Sequence, residues 1–259
     1  MQILLPPSET KREGGTGRPL DLEALSFGSL TATRRDLVAA VIELSAHDQQ
    51  AARALKLGAT SAAAELERNR TLLSSGTMPA IERYTGVLYD ALDVRSLPAA
   101  GRRRASASLV VHSALFGLLR ADDPIPAYRL SHDSRLPARP LKRAWGGAIA
   151  AELAALPTPI IDLRSAGYAA LGALPEVSGA VGVSVVAVGD DGVARALNHF
   201  NKKGKGEWVR ALLTAGALPR SISTLCSRST ELGWPMRRID ERMLELIVPG
   251  TLPPRASTR

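Results

Sequence analysis

The chain has 259 residues, 45% apolar and 22% charged, an ordinary globular composition with enough apolar side chains for a large core. It contains no run near the roughly 18 apolar residues of a membrane span, and its opening MQILLPPSETK lacks the basic and apolar regions of a signal peptide. One cysteine, Cys226, excludes an intrachain disulfide and fits a reducing cytoplasm, while a net charge of +8 favours an anionic partner.

In chain order, QILLPP reads as a short buried strand stopped by Pro6 and Pro7. The polar, glycine-rich SETKREGGTGRPLD is a loop, and residues 33–73 carry alanine and leucine at helical spacing, enough for two or three helices. IERYTGVLYDAL gives two short apolar helical pieces around Gly86. LPAAGRRRASAS reads as a basic loop feeding a strand at 109–111, then a turn or short helix over 113–119 and a break at Asp122–Pro124. LKRAWGGAIAAELAAL is an amphipathic helix, weakened by about 1 kcal/mol for each of its paired glycines. TPIIDLRSAGY is a strand followed by a loop or helix start, and GVSVVAVGDDGVARALN is a hairpin turning at GDDG. GEWVRALLTAGAL is helical, WPMRRID a strand, ERMLELIV a terminal helix or strand, and residues 251–259 a flexible tail. Strands alternate irregularly with helices. The expectation is one mixed α/β (α+β) domain over residues 1–250, with a mixed sheet and surrounding helices rather than a regular doubly wound sheet.

Familiar catalytic signatures are missing. There is no G-x-x-x-x-G-K-[ST], no G-x-S-x-G and no H-E-x-x-H, and Gly204 and Gly206 lack the third glycine of a dinucleotide fingerprint. The four histidines fall at no metal-ligand spacing. No metal or cofactor is therefore expected, and no catalytic step is named. His132 and Asp133 are adjacent and read as a solvated loop pair rather than a base with its orienting carboxylate, His112 as a packed histidine, and Cys226 as a buried thiol.

Charge is distributed unevenly. Residues 195–259 hold twelve Lys and Arg against five Asp and Glu, which leaves 21 against 20 for the rest. HFNKKGKGEW (His199–Trp208) concentrates that excess. Read as a glycine-bearing turn before a helix capped by Asn201, it lets backbone N–H groups beside Gly206 approach an anion, with Lys202, Lys203 and Lys205 adding to the positive helix end. Arg129 can grip a phosphate with two parallel hydrogen bonds, and Tyr128 can stack on a base or sugar. Lys142 and Arg143 begin a helix, where positive charge opposes the macrodipole unless an anion binds nearby. Arg102, Arg103 and Arg104 read as a solvated run, and Trp145, Trp208 and Trp234 as packing residues.

Five stretches, ILLPPSETK, YTGVLYDAL, HSALFGLLRADDPIPAYRL with AWGGAI, IIDLRSAGY and HFNKKGKGEWVRALL, resemble in order and spacing the YaaA family of bacterial cytosolic peroxide-stress proteins. The likeness runs from Met1 to about Val248. It implies a compact mixed α/β domain with a basic cleft, duplex or branched DNA as partner with little sequence preference, and a role in limiting iron-dependent oxidative damage. By position, it places DNA or phosphate contacts at Lys11, Tyr128, Arg129, Lys142, Arg143, Lys202, Lys203, Lys205 and Gly206, and a helix-hairpin-helix-like element at Tyr84, Thr85 and Gly86. No membrane and no obligate protein partner are implied. The chain departs from the family at Glu9, where many members carry lysine, and at Gly167, where a glutamate is common. A different reading is an enzyme acting on a nucleotide or another phosphorylated small molecule. Ser8, Glu9, Asp162, Tyr168 or His132 would then supply the chemistry, because PPSETK behind a strand resembles the start of a ligand site in an open α/β sheet.

Overall fold

The computed structural model describes residues 1–137, 139–188, 194–195 and 198–248. The uncharged QILL forms β1 (Gln2–Leu5), buried along its whole length, and two prolines end it. A polar loop leads to α1 (Thr31–Ser45), α2 (Asp48–Ala54) and α3 (Ala62–Arg70). Next come β2 (Met78–Pro79), α4 (Ala80–Arg83), α5 (Val87–Leu92), α6 (Ala99–Ser108), β3 (Leu109–Ser113), β4 (Gly117–Arg120) and β5 (Pro124–Ile125). The second half contains α7 (Leu141–Ala154), β6 (Ile160–Asp162), α8 (Ala166–Ala169), β7 (Ala180–Val188) and β8 (Ala194–Arg195). It closes with α9 (Asn198–Thr214), α10 (Ile222–Glu231), β9 (Met236–Arg238) and β10 (Met243–Val248).

The strands form a mixed sheet in the order β4-β3-β1-β6-β7-β10-β9, with β8 paired to β7, and a separate β2-β5 pair. The centre is more regular than the sequence suggested. β3, β1, β6, β7 and β10 are parallel, and the antiparallel pairs are β4, β8 and β9 against their neighbours. β1 lies between β3 and β6. The chain leaves β1 towards β3 on one side, whereas from β6 it continues to β7 on the other. Crossovers that diverge in this way open a crevice at the carboxyl ends of the strands. The register Leu5↔Val111 and Leu4↔Asp162 brings Pro6–Lys11, Ser113 and Leu163–Ser165 to that edge.

One continuous cluster of buried side chains fills the core, from Ile3 on β1 to Trp145 on α7 and Trp208 on α9. Both indoles keep a partner as they are buried: Trp145 Nε1 donates to Ala114 O at 2.8 Å and Trp208 Nε1 to Ser229 Oγ at 3.0 Å. Two arginines are also fully buried. Arg34 donates to the carbonyls of Ser26, Phe116 and Leu118, and Arg83 to those of Arg12, Gly14, Gly76 and Ile125. These cations hold loops together.

Several expectations change. Residues 99–108, taken as a loop, are α6, and two of its three arginines are occupied: Arg102 pairs with Glu82 and Asp122, and Arg104 Nε donates to Leu213 O on α9, while Arg103 is exposed. The segment 113–119 is a turn followed by β4, not a helix. The sequence reading passed over α10, although Ser221 and Thr224 form a reciprocal capping box at its start. β7 and β8 pair antiparallel as a hairpin requires, with Ala187↔Arg195 and Val188↔Ala194; the turn at 189–193 and the tail at 251–259 lie outside the described residues.

Candidate functional site at the carboxyl edge of the sheet

HFNKKGKGEW is not a turn. It lies within α9, which begins at Asn198, so Asn201 sits inside the helix and does not cap it. Its glycines serve packing. A Cβ at Gly204 would overlap Val248 Cγ1 on β10, and one at Gly206 would overlap Leu88 O and the Ala91 side chain on α5. Gly206 is therefore closed off by α5 and offers no N–H to an anion. Lys205 is 8% exposed and points inward, its Nζ donating to Leu163 O at 3.1 Å just beyond β6. Burial lowers its pKa, with the Asp162 carboxylate opposing the shift. Lys202 and Lys203 are exposed, and Lys203 pairs with Glu207 at 3.5 Å.

Behind β1, residues 10–12 run beside residues 83–85, tied by Arg12 N to Arg83 O, Thr85 N to Thr10 O and a Lys11–Tyr84 bridge. Gly86 permits this: its φ of +95° suits glycine, and a Cβ there would crowd the Ser8 and Thr10 hydroxyls. The Lys11 ammonium donates to the carbonyls of Ser8 and Glu9 at 3.1 Å each and lies 4.2 Å from the centroid of the Tyr128 ring. Burial, reinforced by the Arg129 charge, brings its pKa down to about 7. Arg129 is fixed through its backbone by both amide atoms of Asn69 on α3. Its Nη1 meets Glu9 Oε2 at 2.9 Å, and its Nε is buried without a hydrogen-bond partner among the described residues.

The chain has four tyrosines, and all four are here, each less than a tenth exposed. Ser113 Oγ accepts from Leu115 N and Phe116 N, so its own proton goes to Tyr128 O at 2.7 Å. Tyr128 in turn donates to Tyr84 O at 2.8 Å. Tyr89 OH donates to Pro6 O, at the end of β1. Burial raises the phenol pKa values of Tyr84, Tyr89, Tyr128 and Tyr168, so all four are neutral donors at physiological pH.

The third wall comes from β6. Arg164 grips Asp162 with two side-chain bonds of 2.9 and 2.7 Å and reaches His112 Nδ1 on β3 with Nη1 at 2.9 Å. A guanidinium only donates, so His112 Nδ1 accepts and the imidazole proton sits on Nε2, which is buried without a partner among the described residues. Burial, with Arg164 adding to it, holds the His112 pKa well below 6.5. The Tyr168 ring stands edge-on to the rings of His112 and His132. It also feels Tyr128 and Glu9 electrostatically, which joins this wall to the Lys11 side. Gly167 is needed beneath His132, whose ring occupies the space a Cβ would fill. Lys11 and Arg129 thus meet Glu9, with the Glu65–Arg68 pair also acting on the Lys11 charge, while Arg164 and Lys205 meet Asp162. An open depression of about 470 Å³, lined by Glu13, Gly14, Gly15, Arg68, Thr71 and Ala127 among others, adjoins the Lys11–Arg129 side.

The family model described as peroxide stress protein YaaA matches residues 1–227. The chain belongs to the YaaA family. A UPF0246 protein of Corynebacterium glutamicum strain R is 42% identical over 240 residues, covering 90% of this chain and 93% of that protein. One of Corynebacterium efficiens is 44% identical over 229 residues (86% and 88% covered), and one of Streptomyces coelicolor 41% over 237 residues (90% and 91% covered). Membership in the YaaA family is consistent with a role in the oxidative stress response. Among the described residues, no three His, Cys, Asp or Glu side chains gather into a metal site.

Set against what likeness to the YaaA family implied, the structure brings together Lys11, Tyr128 and Arg129, but Tyr128 is 1% exposed beneath Lys11 and cannot stack on a base. Lys142 and Arg143 are exposed at the start of α7, where Arg143 lines a separate depression with Asp36 and Arg139. Tyr84, Thr85 and Gly86 do join two helices, α4 and α5, of four and six residues, and the Tyr84 ring is buried. His132 and Asp133 form no dyad, since Asp133 pairs with Lys56 at 2.5 Å. Cys226 is partly exposed rather than buried. Many C-terminal cations are paired locally: Arg210 with Asp93, Arg228 with Glu231, Arg237 with Glu245 and Arg242 with Glu176. His112, read as a packed histidine, is fully buried, whereas sequence reasoning missed Ser113, Tyr89 and Arg164. A signal for Arg164 existed, since D-L-R at the end of an apolar strand sets Asp162 and Arg164 two residues apart, on one face of an extended chain.

Proposed function

We propose that this protein binds a nucleotide or another phosphorylated small molecule at the carboxyl edge of β3, β1 and β6, as a member of the peroxide-stress family. One unmatched donor carries this reading. Arg129 Nε is buried without a partner among the described residues, and an unmatched donor of a charged group is costly. An anion entering beside Arg129 and Lys11 would satisfy Arg129 Nε. The depression lined by Arg68 and Ala127 has room for the remainder of a nucleotide-sized ligand. Calorimetric titration with a nucleoside triphosphate tests it. Saturable binding that falls at least about ten-fold in Arg129→Gln is expected; equal affinity in the variant would remove Arg129 and the site with it.

A second reading, duplex DNA bound through its backbone, is favoured by one observation. Lys202 and Lys203 on α9 and Lys142 and Arg143 on α7 are exposed, and all four lie near the N-terminal ends of their helices. In this reading these cations would shield DNA from iron-dependent damage. Affinity for a duplex of about 30 base pairs would fall steeply with salt, and changing Lys202 and Lys203 to Ala would flatten the slope by roughly 2 units.

A further inference from the structure

Resting on the phosphate-site reading, we propose that Lys11 is a nucleophilic amine that forms an imine with a phosphorylated aldehyde or ketone, its phosphate held on the Nε edge of Arg129. Lys11 Nζ stands over the face of the buried Tyr128 ring, 4.2 Å from its centroid, and donates to the carbonyls of Ser8 and Glu9 at 3.1 Å each. A neutral amine has two N–H groups, and these two carbonyls take both. The third position on the nitrogen, a proton in the ammonium and the lone pair in the amine, meets no hydrogen-bond partner among the described residues. Of the charges acting on Lys11, Arg129 is the strongest and opposes the ammonium, as Arg68 does, while Glu65 and Glu9 favour it. Burial decides the balance, and the pKa falls to about 7. A lysine desolvated on an apolar surface beside another cation is an arrangement that makes an amine nucleophilic at neutral pH.

The step needs no further reactant. The Nζ lone pair adds to the carbonyl carbon, the carbonyl oxygen becomes a hydroxyl, and that hydroxyl leaves as water while the C=N bond forms. Both amine hydrogens leave in that water. Protonation from solvent gives an iminium with one N–H, enough for one of the two carbonyls. Its positive charge meets the same Glu65 and Glu9 carboxylates that favour the ammonium. Arg129 supplies the second contact. Its Nε is buried and unmatched among the described residues, its backbone is held by Asn69, and a phosphate accepting from Nε and Nη2 would satisfy it. The open depression lined by Arg68 and Ala127 leaves room for the carbon chain.

The test treats the full-length protein at pH 8 with glycolaldehyde phosphate or erythrose 4-phosphate, two chain lengths, and in parallel with glycolaldehyde or erythrose. Borohydride fixes any imine, and peptide mass mapping locates it. At this pH fewer than about one ordinary lysine in a hundred is neutral. Lys11 should therefore be modified at least about ten-fold faster than any other lysine of the chain, and Lys11→Arg should lose the label. With at least one chain length, the phosphorylated aldehyde should react about ten-fold faster than its unphosphorylated parent. Arg129→Gln should remove most of that preference. The ratio is insensitive to any change in Lys11 protonation, because both aldehydes meet the same amine. Labelling no faster at Lys11 than at Lys202, Lys203 or Lys205, or labelling of Lys11 without preference for a phosphate ester, would overturn the proposal. Nucleoside triphosphate binding that weakens in Arg129→Gln would still leave the phosphate site standing, and its absence would overturn both. Thermal unfolding of each variant shows whether the fold is retained.

Discussion

Lys11 is the residue whose state decides what the site can hold. Its amine is half-buried on the Tyr128 ring beside Arg129, with its pKa at about 7. It is charged below that value in the folded chain and up to about 10.4 in the unfolded one. A folded pKa below the unfolded value means that Lys11 costs stability in full below pH 7, and that this cost is relieved as pH rises towards 10. Anion binding runs the other way, because it needs the ammonium. Sulfate stays a dianion across this window, so its affinity should drop through a midpoint near pH 7, or somewhat higher if the anion holds the proton in place. Lys11→Arg should remove that step, since a guanidinium stays ionised; a step that persists in the variant would place the titrating group elsewhere.

α9 shows how one element can be misread by its composition. Three lysines and two glycines in ten residues have the content of a solvated turn, and the turn reading led to a phosphate cradle. The physical reason for the glycines is helix approach: α9 lies so close to β10 and α5 that no Cβ fits at Gly204 or Gly206. Gly206→Ala should cost about 1–3 kcal/mol in chemical denaturation, because the obstacle is the backbone carbonyl of Leu88, which cannot rotate aside. Gly147→Ala, exposed on α7 with nothing near its Cβ position, should instead stabilise by about 0.5–1 kcal/mol. Equal effects at the two positions would contradict this packing. β1, the three helices after the first loop and the apolar pieces around Gly86 were legible, since their signals are local: apolar runs, helical spacing and punctuating prolines. α6 and α10 were not read, because arginines and small polar residues on a helix resemble a loop until long-range partners such as Leu213 O appear.

At the scale of the whole molecule, the sequence showed an excess of positive charge but not where it matters. Counting placed it in the last quarter of the chain, yet many of those cations end in local ion pairs. The site instead takes Lys11 and Glu9 from the first strand's exit, Arg129 from a loop clamped to α3, Asp162 and Arg164 from β6, and Lys205 from α9. Parallel strand order alone makes these neighbours, and it depends on pairings between residues more than 100 apart, such as Ile3↔Leu109. The alternative list of Ser8, Glu9, Asp162, Tyr168 and His132 lies on the walls of this crevice because the exit of a buried strand is where open α/β sheets present ligands. A crystal of the protein grown with tungstate, a heavy dianion located by its anomalous scattering, bears most directly on this arrangement. The expected density lies within hydrogen-bond reach of Arg129 Nε. Density confined to Lys202 and Lys203 or to Lys142 and Arg143 would contradict it.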